Sequence, residues 1–142
     1  MLAIFVGTGV SLLNIAVHGL LTVAMVSTLH ARAKLDHNAN AVLRVIMTMV
    51  VAAAILMAAH IIEVWLWSVC YQIVGVTPDG EVDFTFAFVN YTTLGYGNVV
   101  PVPPWKVIGP MTAMNGVLLF GWSTAVLFQV LSLSSRQFGI KY

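Results

Sequence analysis

Residues 91 to 101 read YTTLGYGNVVP, and the capacity for chemistry in this chain is concentrated there. Gly95 and Gly97 alternate with Leu94 and Tyr96 behind a threonine pair, Thr92 and Thr93. Glycines at alternate positions permit backbone conformations that bring successive carbonyls to one side. In apolar surroundings such a ladder is a row of unsatisfied polar groups, unless its oxygens replace the water shell of a cation. The pattern therefore predicts cation coordination by the carbonyls of Thr93, Leu94, Gly95, Tyr96 and Gly97. The Thr93 hydroxyl adds one more oxygen at the inner mouth, and the Leu94 and Tyr96 side chains face away to pack behind. One chain supplies one wall, so several copies must close the site.

A second candidate lies upstream. His60 and Glu63 stand three residues apart, on one face of an apolar helix. A carboxylate at that depth is expensive and marks a partner. Three readings stay open: a buried pair bracing the glycine stretch, a hydrated Glu63 at the interface with Trp65 and Trp67 as aromatic anchors, or a metal site. The first makes the site's stability pH-dependent, because histidine titrates near neutrality. His18 is expected to hydrogen-bond a neighbouring helix, and Cys70, the single cysteine, to be an inert apolar thiol.

The elements that must position these residues are membrane helices. Of 142 residues, 60% are apolar and 8% charged, against roughly 25% charged in soluble domains. Net charge of +1 with no basic patch argues against a nucleic-acid partner. Three stretches suffice to cross about 30 Å of hydrocarbon. They run from about Leu2 to Leu29, Ala41 to Tyr71 and Trp105 to Leu133. The first is expected to be a retained span, since it lacks a basic leader and exceeds the apolar core of a signal peptide.

Between the second and third spans, a turn at Thr77-Pro78-Asp79-Gly80 precedes a run from Asp83 to Thr92. As a helix that run covers about 15 Å, half a bilayer, so it must enter and return. Asn38 or Asn40 could cap the second helix. Basic residues Arg32, Lys34, Arg44, Arg136 and Lys141 predict a cytoplasmic first connection and C-terminus, with the N-terminus and the acidic loop outside. Lys106 alone falls on the opposite side.

On these residues the sequence resembles the potassium-channel pore family, specifically its small bacterial members. Thr92 to Gly97, TTLGYG, matches the family's selectivity filter, and the resemblance extends over the second span, half-helix, filter and third span. It implies an all-α membrane protein with three transmembrane helices and a re-entrant pore helix and filter between spans 2 and 3, assembled as a homotetramer. It implies division into residues 1–40, a span and a basic loop, and a pore domain 41–142. That domain comprises outer helix 41–72, pore helix 83–92, filter 93–97 and inner helix 105–134. The implied function is passive, potassium-selective conduction across the bacterial inner membrane. No enzyme activity and no cofactor are expected, with K+ bound at Thr93, Leu94, Gly95 and Tyr96 as permeant ion.

Asn98 departs from the family's usual aspartate after the last filter glycine, which removes four charges from a tetramer's outer mouth. The pore helix also lacks the family's Trp-Trp pair and buried glutamate, and Glu63 could take over that glutamate's job. If the third span lines the pore, Val117, Phe120 or Gly121, Thr124, Phe128 and Ser132 form the stripe facing its axis. A ring of Phe128 there can gate by dewetting, or Phe128 can pack on the second span. Gly116 and Gly121 fall where the family's inner-helix hinge lies; close helix packing is the other reading.

No span carries arginine at every third position, so no voltage sensor is expected, and residues 136–142 are too short for a ligand domain. Gating is then left to the pore, lipid, pH, tension or an unidentified regulatory subunit. The first span, with Gly7, Gly9, Ser11 and Gly19, is expected on the second span's periphery. Asn90-Tyr91-Thr92 spells a glycosylation sequon at a position expected to be buried. Rival readings are a weakly selective monovalent cation channel, a metal-binding membrane protein using His18, His60 and Glu63, and a transporter subunit.

Overall fold

The computed structural model describes residues 1–33, 40–95 and 99–137. These form four helices: α1 Leu2–Ala33, α2 Ala41–Val74, α3 Asp83–Tyr91 and α4 Ile108–Gln137. Among the described residues there is no strand. Stretches Leu2–Leu29, Ala41–Val74 and Ile108–Arg136 are each long and apolar enough to cross a membrane. The molecule is an all-helical integral membrane protein.

Local chemistry sets the boundaries. At the start of α2 the Asn40 side chain accepts from the Val42 N–H at 3.0 Å, satisfying one orphan donor of the first turn. Asn38, the other capping candidate, lies outside the described residues. α2 ends where Gly75 turns left-handed at φ +66°, its N–H returning to the Tyr71 carbonyl. The loop then drops through Pro78 and Gly80 into α3, whose nine residues cover about 13 Å. α4 begins at Ile108, three residues later than the apolar pattern suggests. Prolines 101, 103 and 104 lack the N–H groups a helix needs, and Trp105 to Val107 form a turn closed by Ile108 N–H to Trp105 O at 2.9 Å.

Two apolar clusters hold the helices together. One gathers Val64, Trp67, Tyr71, Phe86, Ala87, Tyr91 and Ile108 around α3. The other joins Met25, Ala52, Leu56, Val126 and Val130 at the far end of the spans. α1 does not lie on the periphery of α2. It packs against both α2 and α4, with Gly7 against Met111 and Gly19 facing Trp122. The reason is chemical: Asn14 and His18 find their partners only in the seam between α2 and α4.

Candidate functional site

α3 delivers the chain to the glycine stretch. Its last turn tightens through Thr92 N–H to Phe88 O, Thr93 N–H to Asn90 O and Leu94 N–H to Val89 O, at 3.0, 3.1 and 3.0 Å. Thr93 then adopts φ +59° and Gly95 φ +66°, while Leu94 between them is not left-handed. Glycine takes that conformation freely; for a β-branched residue it is a strained outlier costing on the order of 1–3 kcal/mol. Left-handed residues on either side of an ordinary one are a backbone pattern that permits successive carbonyls to turn to one side. Such strain persists where function demands it.

The Thr93 hydroxyl donates to the Thr92 carbonyl at 2.6 Å, which leaves its own lone pairs free to accept. Leu94 is half exposed on the single chain. Tyr96, Gly97 and Asn98 lie outside the described residues. Beyond them Val102 N–H bonds Val76 O at 3.0 Å, tying the exit segment to the end of α2. An open cleft of about 460 Å³ beside the stretch is lined by Val89, Thr93, Gly95, Pro101, Lys106 and Ala113.

Directly behind α3 sits a buried polar cluster. Glu63, fully buried, accepts from the Tyr91 hydroxyl at Oε2. His60 Nδ1 lies 3.0 Å from Oε2 and 2.9 Å from the Tyr91 oxygen. His18 Nδ1 lies 2.7 Å from Oε1. The opposite ring nitrogens both point at Ser123 Oγ, at 2.9 Å for His60 and 3.3 Å for His18. Phe120 packs against His60 and Tyr91, and Trp122 against His18, which keeps the surroundings apolar.

Burial of Glu63 removes the hydrated-interface reading. Trp67 is not an interface anchor either: it is fully buried, and its indole N–H donates to Asn115 Oδ1 at 3.0 Å. Trp65 remains exposed. Asn115 Oδ1 also accepts from Asn14 Nδ2 at 2.9 Å. The Tyr71 hydroxyl meets Thr112 at 2.8 Å and accepts from Asn90 Nδ2 at 3.2 Å, so the sequon asparagine is committed inside the fold.

His18, His60 and Glu63 are the described residues whose donor atoms converge, within 4.8 Å of one another, as a metal would require. Every one of those atoms already serves another member of the cluster. Glu63 is the cluster's only carboxylate. A doubly charged ion would leave one net positive charge buried between spans, which is costly; a proton leaves none.

On α4, Val117, Gly121, Thr124 and Phe128 are exposed on the single chain, and Phe128 does not pack against α2. Phe120 turns inward to the cluster, so Gly121 takes its place in the stripe. Gly116 abuts α3: a Cβ there would come 2.0 Å from the Tyr91 carbonyl oxygen. That is close packing of two backbones. Gly121 has open space around it.

Sequence reasoning missed Asn14, Ser123, Asn115 and the Tyr91 hydroxyl. The signal was present: Asn14 and His18 are spaced i, i+4, and Asn115 and Ser123 lie eight apart, which puts each pair on one helix face. Polar residues inside spans face protein, not lipid.

A family model described as an ion channel matches residues 44–133. The chain belongs to the ion-channel family. The matched region of the channel runs from the first turn of α2 through α3 and the glycine stretch into the last turns of α4, and it is a pore of the potassium-channel-like type. α1 lies outside it. No curated protein and no solved structure matches the channel.

Proposed function

We propose that four copies of this channel form a pore that passes K+ selectively and passively, through a filter built by the carbonyls of Thr93, Leu94, Gly95, Tyr96 and Gly97. The observation that carries the reading is the left-handed backbone at both Thr93 and Gly95, on either side of Leu94, at the tip of a helix half a bilayer long. Four such loops surround an ion with carbonyl oxygens in place of water. The outward faces of Val117, Thr124 and Phe128 line the cavity below, with Phe128 the bulkiest toward the inner end. Membrane lipid surrounds the tetramer, and K+ is its only ligand, with no cofactor.

The basic residues at 32, 34, 44, 136 and 141 support a cytoplasmic C-terminus and an outer acidic loop, and the resemblance to small bacterial pores favours a bacterial inner membrane. Asn98 favours a second reading, a weakly selective monovalent cation pore, because it puts a neutral amide where the family's usual aspartate follows the last filter glycine. Reversal potentials of the reconstituted channel in opposed K+ and Na+ solutions separate the two. A potential near that of K+ supports the filter reading; one near zero supports the weakly selective pore.

A further inference from the structure

The cluster behind the pore helix has a hydrogen count that does not close with neutral histidines. The Glu63 carboxylate can only accept. Both Nδ1 atoms face it, at 2.7 Å for His18 and 3.0 Å for His60, so both carry hydrogen. Both Nε2 atoms then face Ser123 Oγ, at 3.3 and 2.9 Å. A hydroxyl owns one hydrogen. It donates to one ring and must accept from the other, and that second ring is then protonated on both nitrogens. If the extra proton sits on Glu63 instead, one ring changes tautomer and the total is the same.

We infer that His18, His60, Glu63, Tyr91 and Ser123 form a binding site for a single proton, completed by the first span and coupled through Tyr91 to the filter. The elements packed around it offer no competing charge. α1 contributes His18, α2 His60 and Glu63, α3 the Tyr91 phenol and α4 only the Ser123 hydroxyl. The next charged residue on α3 is Asp83, a helix length away; on α2 it is Arg44, and on α4 Arg136.

With the proton bound, Glu63 is balanced and every bond is made. Without it, either Ser123 faces two lone pairs or a carboxylate oxygen loses its histidine. The first unseats the His60 ring that bonds the Tyr91 hydroxyl, and the second takes a donor from the carboxylate oxygen that Tyr91 shares; Tyr91 is the last residue of α3, two residues before the left-handed Thr93. The sign follows from the count: the complete network belongs to low pH, and its contribution is lost as rising pH removes the bound proton.

Glu63→Gln supplies the discriminating test, because its amide mimics the protonated carboxyl. The NH2 donates to His18 Nδ1, the oxygen accepts from His60 and Tyr91, and Ser123 closes the ring between two neutral imidazoles. The network is then complete without the extra proton. The experiment uses the full chain, scanned from about pH 5 to 9, with two readouts. Thermal unfolding in detergent is expected to show a wild-type midpoint that falls with pH along a one-proton slope, and a flat Glu63→Gln profile. K+ flux in liposomes is expected to fall with pH by at most about tenfold per unit in wild type, and to stay at its acidic level in Glu63→Gln.

The flux readout rests on the potassium-pore reading; the unfolding readout does not, so silence in flux with a one-proton unfolding slope indicts the pore reading alone. Nitrogen-15 spectra of the wild-type histidines stand in if Glu63→Gln does not fold, with His18→Gln assigning the rings. One imidazolium equivalent shared by His18 and His60 supports the site. Two plain neutral rings, a wild-type profile flat in pH, a Glu63→Gln profile like wild type, or stoichiometric zinc in the purified channel overturns it.

Discussion

His18 Nδ1 of α1 stands 2.7 Å from Glu63 Oε1 of α2, and neither side chain is exposed. The bond crosses 45 residues of sequence and joins the span outside the family match to the one that carries the carboxylate. Breaking it leaves one lobe of a buried carboxylate without a donor, at a cost of about 1–3 kcal/mol. His18→Leu is therefore expected to lower the thermal unfolding midpoint of the purified channel clearly. An unchanged midpoint would mean that α1 does not depend on this bond.

The Gly116 contact is harsher. A methyl group there meets the Tyr91 carbonyl oxygen at 2.0 Å, and backbone cannot rotate away as a side chain can. Gly116→Ala is expected to push α3 off α4 and to destabilise by at least about 1–3 kcal/mol, while Gly121→Ala, with open space around it, leaves the single chain's stability unchanged. Equal stability of the two variants in detergent unfolding would contradict the packing.

Asn115 holds two donors at once, Trp67 Nε1 at 3.0 Å and Asn14 Nδ2 at 2.9 Å. Asn115→Leu strands both, at about 1–3 kcal/mol each. Thermal or urea unfolding of the purified channel reads the loss, and a midpoint equal to wild type would contradict the two bonds.

Phe128 is 68% exposed on the chain, so most of its ring is uncovered by the described residues. In a tetramer whose cavity it lines, shortening it should raise the open probability by widening a dewetted constriction. Single-channel recording of Phe128→Ala decides; an open probability equal to wild type removes Phe128 as the gate.

How far the sequence carries can be seen residue by residue. The three spans and the half-length α3 follow from apolar run lengths and Gly/Pro punctuation, and residue type narrows the α2 cap to Asn38 or Asn40, of which the structure shows Asn40. The start of α4 does not. Trp105 and Val107, on either side of Lys106, extend the hydrophobic pattern, while the prolines before them withhold helix geometry. The glycine stretch stands out because few sequences need glycine at alternate positions beside paired threonines. The cluster was legible only as His60 and Glu63, since those two share a helix. His18 and Ser123 join it through tertiary packing 45 and 60 residues away from Glu63, which no periodicity encodes. Trp67 shows the same limit: its type suits the membrane interface, and its neighbours make it core.

The central claim is that ions pass through the carbonyl ladder around Gly95. Gly95 sits at φ +66° with nothing within 4 Å of a prospective Cβ, so a side chain there strains the backbone without clashing with the fold. K+ flux into liposomes carrying purified wild type or Gly95→Ser reads the ladder directly. The account predicts K+ uptake by wild type and its loss in a Gly95→Ser channel that remains folded. Undiminished K+ flux through Gly95→Ser would contradict it.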